Sequence, residues 1–194
     1  FGTMSDARAE DQTSKQPAKA AVQSRLFLIG GNANTTLDEF ARLAGGAKKA
    51  AVAIITYAGD KPIELADAVQ NAFSAANVRK TFVISADDKK ACLPKEANAV
   101  YIGGGNESRL MRLMPEGLAK QLANFDGIIG ANSAAAMAAP ETMISGGLES
   151  SVIHAQQLKL ADGMDLIRGI IVDSHVGQRG RDARCIASLA SVPE

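Results

Sequence analysis

The chain has 194 residues, 46% of them hydrophobic, and its 21 Lys and Arg balance its 21 Asp and Glu, for a formal charge of zero. That is enough apolar material for the core of one globular domain, and the charge balance provides no global field to attract nucleic acid or an anionic membrane. Cys92 and Cys185 lie far apart, outside any CxxC or Cys/His cluster, which argues against a zinc site or a disulfide framework and reads as reduced, buried thiols.

The first 23 residues are polar. Phe1-Gly2-Thr3 ahead of Met4 reads as an expression scar, and the remainder as a flexible arm outside the fold. Residues 24–194 read as a single α/β domain. No apolar run approaches the roughly 20 residues of a membrane span, and the start has no signal-type hydrophobic region. A cytoplasmic protein with a small-molecule or peptide partner is therefore expected, with no nucleic acid and no membrane.

From Arg25 onward, short apolar runs alternate with segments of helical spacing. RLFLIG, AVAIIT, KTFVIS, NAVYIGG, DGIIGA and RGIIVDS predict strands. Most are apolar throughout rather than alternating, the mark of strands covered on both faces. TLDEFARLA, PIELADAVQNAFSAA and ESRLMRLMPEGLAKQLANF predict the intervening helices, the second with Pro62 in its first turn. The repeated βαβ pattern predicts a doubly wound, mostly parallel sheet flanked by helices, with ligand chemistry at the strand ends.

The chemically suggestive residues fall at those ends: Gly30-Gly31-Asn32 after the first strand, Gly103-Gly104-Gly105-Asn106 after the fourth, Ser133 after the fifth and Asp173-Ser174-His175 after the sixth. Ser133 sits between Ala131 and Ala135, side chains small enough for a strand-turn-helix elbow that presents a nucleophile; a plain helix N-cap is the competing reading. His175, one of only two histidines, could take the serine proton and return it to a leaving amine, or could be a hydrogen-bonded structural residue. His154 has no comparable context and reads as structural or surface. The glycine turn suits an oxyanion, with one N–H from Gly104 or Gly105 and the other from Ala134. GGGNES matches neither dinucleotide nor phosphate-loop patterns. Arg179, Arg181 and Arg184 could hold a substrate carboxylate, or could form a solvated helix start paired with Asp182.

Taken together, LIGGN, YIGGGNESRL, GANSAAAMA and IIVDSHVGQRGRDARC resemble the cyanophycinase and dipeptidase E family of serine peptidases, the last string being closer to the cyanophycinase branch. The resemblance spans Leu26 to the end and implies a sandwich similar to class I glutamine amidotransferases, with no metal or organic cofactor. It implies Ser133 as nucleophile, His175 as base, and Gly105 and Ala134 as oxyanion donors. Asn106, Glu107, Gln178, Arg179 and Arg181 match its substrate contacts. The implied substrates are aspartyl peptides, including a β-aspartyl-arginine polymer. Three departures stand out: Ser-Ala-Ala-Ala replaces the usual Ser-Ala-Gly-Ala, Glu107 replaces an amide, and SLASVPE ends about where the strand bearing the triad acid is expected. Asp173 lies on the wrong reach of strand to orient the imidazole unless the chain bends, and Glu194 is terminal. Two functions follow as expectations: a hydrolase working through Ser133 and His175, or an aspartyl-peptide-binding homologue without a working triad. An uncovered sheet edge would favour a homodimer.

Overall fold

A computed structural model of the chain describes residues 25–31, 36–88, 91–146 and 158–191. The arm, Asn32, His154 and Glu194 lie outside the described residues.

Five parallel strands form the main sheet: β1 (Arg25–Ile29), β2 (Ala51–Ile55), β3 (Lys80–Ile84), β4 (Ala99–Ile102) and β5 (Ile128–Asn132), in the order β1-β5-β4-β2-β3. The apolar runs are continuous because the central strands feed two cores at once. Ala53 and Ile55 of β2, Val100 and Ile102 of β4, and Ile129 and Ala131 of β5 face one side; their alternate neighbours Val52, Ile54, Ala99, Tyr101 and Ile128 face the other. Every residue of β2 is fully buried. The edge strands β1 and β3 are covered less completely and expose Leu28 and Val83.

One core is closed by α1 (Leu37–Leu43) and α3 (Pro62–Ala75), which pack Phe40 and Phe73 against Phe27 and Tyr101, while the short α2 (Gly46–Lys49) buries no residue. The other is closed by α4 (Glu107–Leu113), α5 (Glu116–Ala123) and α6 (Ala134–Ala138), with Leu110, Leu118 and Leu122 buried beneath them. The structure is thus the doubly wound α/β sandwich expected from the βαβ pattern.

Two elements differ from expectation for identifiable reasons. The long periodic segment 107–125 is two helices, because Pro115 has no N–H to continue the ladder and Met114 before it is extended at φ −68°, ψ 114°. RGIIVDS is not a strand of the sheet. Gly169 adopts a left-handed φ of 74° near its start and Ile170 is left exposed, so the segment leaves the sheet direction before a ladder can form. A small antiparallel pair, β6 (Thr142–Gly146) with β7 (Lys159–Asp162), follows α6, and α7 (Val176–Arg179) and α8 (Asp182–Ser191) complete the described chain.

In this strand order β1, β5, β4 and β2 are consecutive. Gly30-Gly31, Ser133, Gly103-Gly104-Gly105 and the turn Thr56–Asp60 therefore leave the same edge of the sheet side by side, where open parallel sheets bind ligands.

Candidate active site

Ser133 follows the last residue of β5 and occupies the N-cap position of α6. It does not cap: its side chain makes no capping hydrogen bond, and its backbone is held at φ 53°, ψ −113°. That conformation is costly for a non-glycine residue. It is held from both sides, by the Ser133 N–H donating to Ile29 O at 2.8 Å and by Ser133 O accepting from Met137 N at 3.1 Å. The surrounding alanines make the turn sterically possible, since Ala131, Ala134 and Ala135 are all buried. The serine hydroxyl is directed instead to His175, with Oγ 2.9 Å from Nε2.

His175 reaches this position without a supporting strand. Its backbone is left-handed (φ 56°, ψ 29°) at the N-cap of α7, and its N–H donates to Gly30 O at 2.7 Å, tying it to the end of β1. Gly31 lies against the ring; a Cβ there would stand 3.4 Å from Nδ1.

The glycine turn after β4 is fixed by contacts that leave no room for side chains. A Cβ on Gly104 would lie 3.0 Å from Ser133 Cβ and 3.2 Å from Asn132 O. On Gly105, at φ 147°, it would lie 2.1 Å from Ala58 O. The same carbonyl accepts the Asn106 N–H at 2.9 Å. Among the described residues the Gly105 N–H donates to no backbone carbonyl, and Ala134 opens α6, where first-turn N–H groups have no intrahelical partner. Two N–H groups without a backbone acceptor among the described residues thus flank Ser133.

Cavities lie on both sides of the Ser133–His175 pair. One, of about 420 Å³, is lined by Gly31, Leu65, Gly104, Asn132 and Gln178. The other, of about 260 Å³, is strongly polar, bounded by Asn106, Glu107, Ser174, Arg179, Arg181 and Arg184. Gly105 belongs to both.

All of the sequence-predicted site residues gather here, though their engagements differ. Asn106 caps α4, its Oδ1 accepting from Arg109 N at 2.6 Å. Gln178 and Arg179 are exposed at the mouth, whereas Arg181 is buried and donates from Nη1 to Ser174 O at 2.7 Å. Arg181 and Arg184 pair with Asp173. Arg184 grips both Asp173 oxygens, Nε donating to Oδ2 at 2.7 Å and Nη2 to Oδ1, and Arg181 adds a longer contact of 3.5 Å. Asp173 is therefore committed to this buried cluster.

Neither cysteine is fully buried, contrary to expectation. Cys92 is exposed and Cys185 is half-buried beside Asp173. Burial, then the Asp173 charge, pushes the Cys185 thiol above its ordinary range and keeps it protonated. Among the described residues no three His, Cys, Asp or Glu side chains gather as metal ligands, and no helix is long and apolar enough to cross a membrane.

Three participants were not anticipated from sequence. Ala58 supplies the carbonyl that shapes the glycine turn, Leu65 of α3 walls the larger cavity, and Asn132 extends from β5 toward Tyr101. Burial raises the Tyr101 phenol to about 12, partly offset by a hydrogen bond from Asn132, whose own Oδ1 is buried without a partner among the described residues. The turn TYAGD after β2 was the available signal for Ala58, because it too ends a strand at the ligand edge.

Comparison with known proteins agrees with this architecture. The chain is 26% identical over 193 residues to a cyanophycinase of Geminocystis herdmanii, covering 91% of this chain and 71% of that protein. It is 26% identical over 170 residues to a cyanophycinase of Synechococcus elongatus, covering 81% of this chain and 52% of the relative. A peptidase from an acI-B1 Actinobacterium shares the fold with a TM-score of 0.62 at 19% identity, over 86% of this chain and 75% of that one. Residues 26–191 match the family model throughout the sheet, the elbow and the histidine segment, and the chain belongs to peptidase family S51.

Proposed function

We propose that the chain is a serine hydrolase that cleaves aspartyl peptides, including the β-aspartyl-arginine linkages of a cyanophycin-like polymer, by acyl transfer through Ser133. The observation that carries this reading is the 2.9 Å contact between Ser133 Oγ and His175 Nε2, made by a serine whose backbone is strained and whose hydroxyl is released from capping. Neutral His175 takes the hydroxyl proton at Nε2 as Oγ bonds to the carbonyl carbon, and the resulting oxyanion receives the N–H groups of Gly105 and Ala134. The intermediate collapses as the imidazolium returns the proton to the leaving nitrogen. Water, deprotonated by the same imidazole, then hydrolyses the acyl-enzyme.

The polar cavity fits the acyl side: it is lined by Arg179, Arg181 and Arg184, whose guanidinium groups are of the kind that receives an aspartyl carboxylate. Arg179 at the mouth is the direct contact, while Arg181, held by Ser174 and Asp173, contributes field and shape. Asn106, Glu107 and Gln178 line the approach. The relatives named as cyanophycinases favour the same substrate class.

A second reading, aspartyl-peptide binding without turnover, draws on Asp173: the carboxylate nearest His175 in sequence is engaged by Arg184 and does not serve as the triad acid. The two readings separate on labelling of Ser133 by a fluorophosphonate and on release of β-aspartyl-arginine from cyanophycin. Both signals are expected and both should vanish in Ser133→Ala. Full turnover in Ser133→Ala would refute the mechanism, and tight binding with neither signal would favour the second reading.

A further inference from the structure

The Gly105 turn borders a third depression that the mechanism above does not use. It measures about 490 Å³ and is lined by Ala58, Asp60, Gly105, Asn106, Arg109 and Arg112. Gly105 and Asn106 also bound the polar catalytic cavity, so the two spaces share a wall. That wall is stiff. Ala58 O holds the Asn106 N–H, Asn106 Oδ1 holds the Arg109 N–H, and Gly105 is pressed onto Ala58. The depression lies over the ends of β4 and β2, continuing the line of cavities along the ligand edge of the sheet.

Its charges are uncommitted. Arg109 and Arg112 stand three residues apart on α4 and so share a face. Neither guanidinium, nor the carboxylate of Asp60, has an ion pair or side-chain hydrogen bond among the described residues. Arg109 Nε is in addition buried with no partner. Two exposed arginines elsewhere do pair, Arg42 with Glu39 and Arg168 with Asp165. Two unpaired guanidiniums and one unpaired carboxylate around a shared space match a zwitterion with a carboxylate at one end and a cation at the other.

We propose that this depression is a secondary substrate subsite, in which Arg109 and Arg112 receive a carboxylate and Asp60 a guanidinium from a unit of the substrate chain beyond the one being cleaved. The proposal rests on the reading of the chain as an aspartyl-arginine hydrolase. In such a polymer each branch ends in a free carboxylate and a guanidinium, so a neighbouring unit lying across the Gly105 turn presents both charges to the subsite.

The test uses Ser133→Ala protein, which binds without cleaving, titrated calorimetrically with β-aspartyl-arginine dipeptide and with a soluble cyanophycin oligomer. The oligomer is expected to bind about tenfold tighter per chain, the scale of one well-formed charged contact. Adding Arg109→Gln and Arg112→Gln should erase that advantage and leave dipeptide affinity in place. Asp60→Asn, an exposed change that leaves α4 untouched, should erase part of it. Equal affinity for the two probes, or an advantage that survives both sets of changes, would overturn the subsite while dipeptide binding upholds the catalytic reading. Failure of both probes to bind would overturn the two together.

Discussion

Alanine substitutions along the ligand edge give a graded test of the glycine turns. At Gly105 an added Cβ lies 2.1 Å from Ala58 O, roughly 0.9 Å inside the 3.0 Å separation below which something must move, and the obstacle is backbone. The φ of 147° adds a conformational penalty of about 1–3 kcal/mol. The turn must therefore retreat by about an ångström, and an oxyanion donor is effective only within a window of about 2.7–3.1 Å. Loss of one such donor lowers kcat by about 10²- to 10³-fold. Gly105→Ala should thus lose both melting temperature and reactivity. Gly104→Ala, with contacts of 3.0 and 3.2 Å, should fall between, and Gly30→Ala, with nothing within 4 Å and no positive φ, should match the parent. Differential scanning fluorimetry reports the first quantity and the rate of fluorophosphonate labelling of Ser133 the second. Parental labelling by Gly105→Ala, or a Gly30→Ala defect as large as that of Gly105→Ala, would refute the geometric argument.

Asp173→Asn removes a counter-charge from Arg181 and Arg184, whose side chains are only 6% and 4% exposed. Breaking one side of such a buried pair costs about 3–5 kcal/mol, and melting should fall by roughly 10 °C for a domain of this size; a change of a degree or less would show that the cluster is not what holds the histidine segment. Tyr101 is expected to make stability sensitive to alkaline pH. Its phenol is raised from 10 to about 12, so the folded state keeps a proton that the unfolded chain releases. Stability is intact below pH 10 and declines as pH climbs through 12, by an amount on the order of 3 kcal/mol. Tyr101→Phe should flatten most of the decline seen by chemical denaturation, leaving the contributions of Tyr57 and Cys185, both also raised by burial; an unchanged profile would refute the assignment.

What could be read from sequence followed the reach of the underlying interactions. The strands of the sheet were legible because burial on two faces makes the central runs β2, β4 and β5 apolar throughout, and burial is written locally in residue type. The segment RGIIVDS carries the same composition, yet its place is decided by Gly169 and by the bond from His175 N to Gly30 O, a contact spanning the whole domain. Met114 and Pro115 did signal a break, and periodicity on both sides concealed it.

The site shows the same division. Small residues around Ser133 announced that an elbow could form, but a helix cap needs the same string, and only the direction of Oγ separates them. The three arginines after His175 were visible as charge. Their division of labour was not, because it depends on Asp173 turning back into the cluster, which the left-handed backbone at His175 allows. In this chain the turn is held by the bonds from Ser133 N to Ile29 O and from Met137 N to Ser133 O, and by Gly104 yielding space beside the Ser133 Cβ. A glycine at 135 is then unnecessary for the turn, since the space beside Ser133 is provided by Gly104, in the turn after the neighbouring strand β4, where an added Cβ would lie 3.0 Å from the Ser133 Cβ.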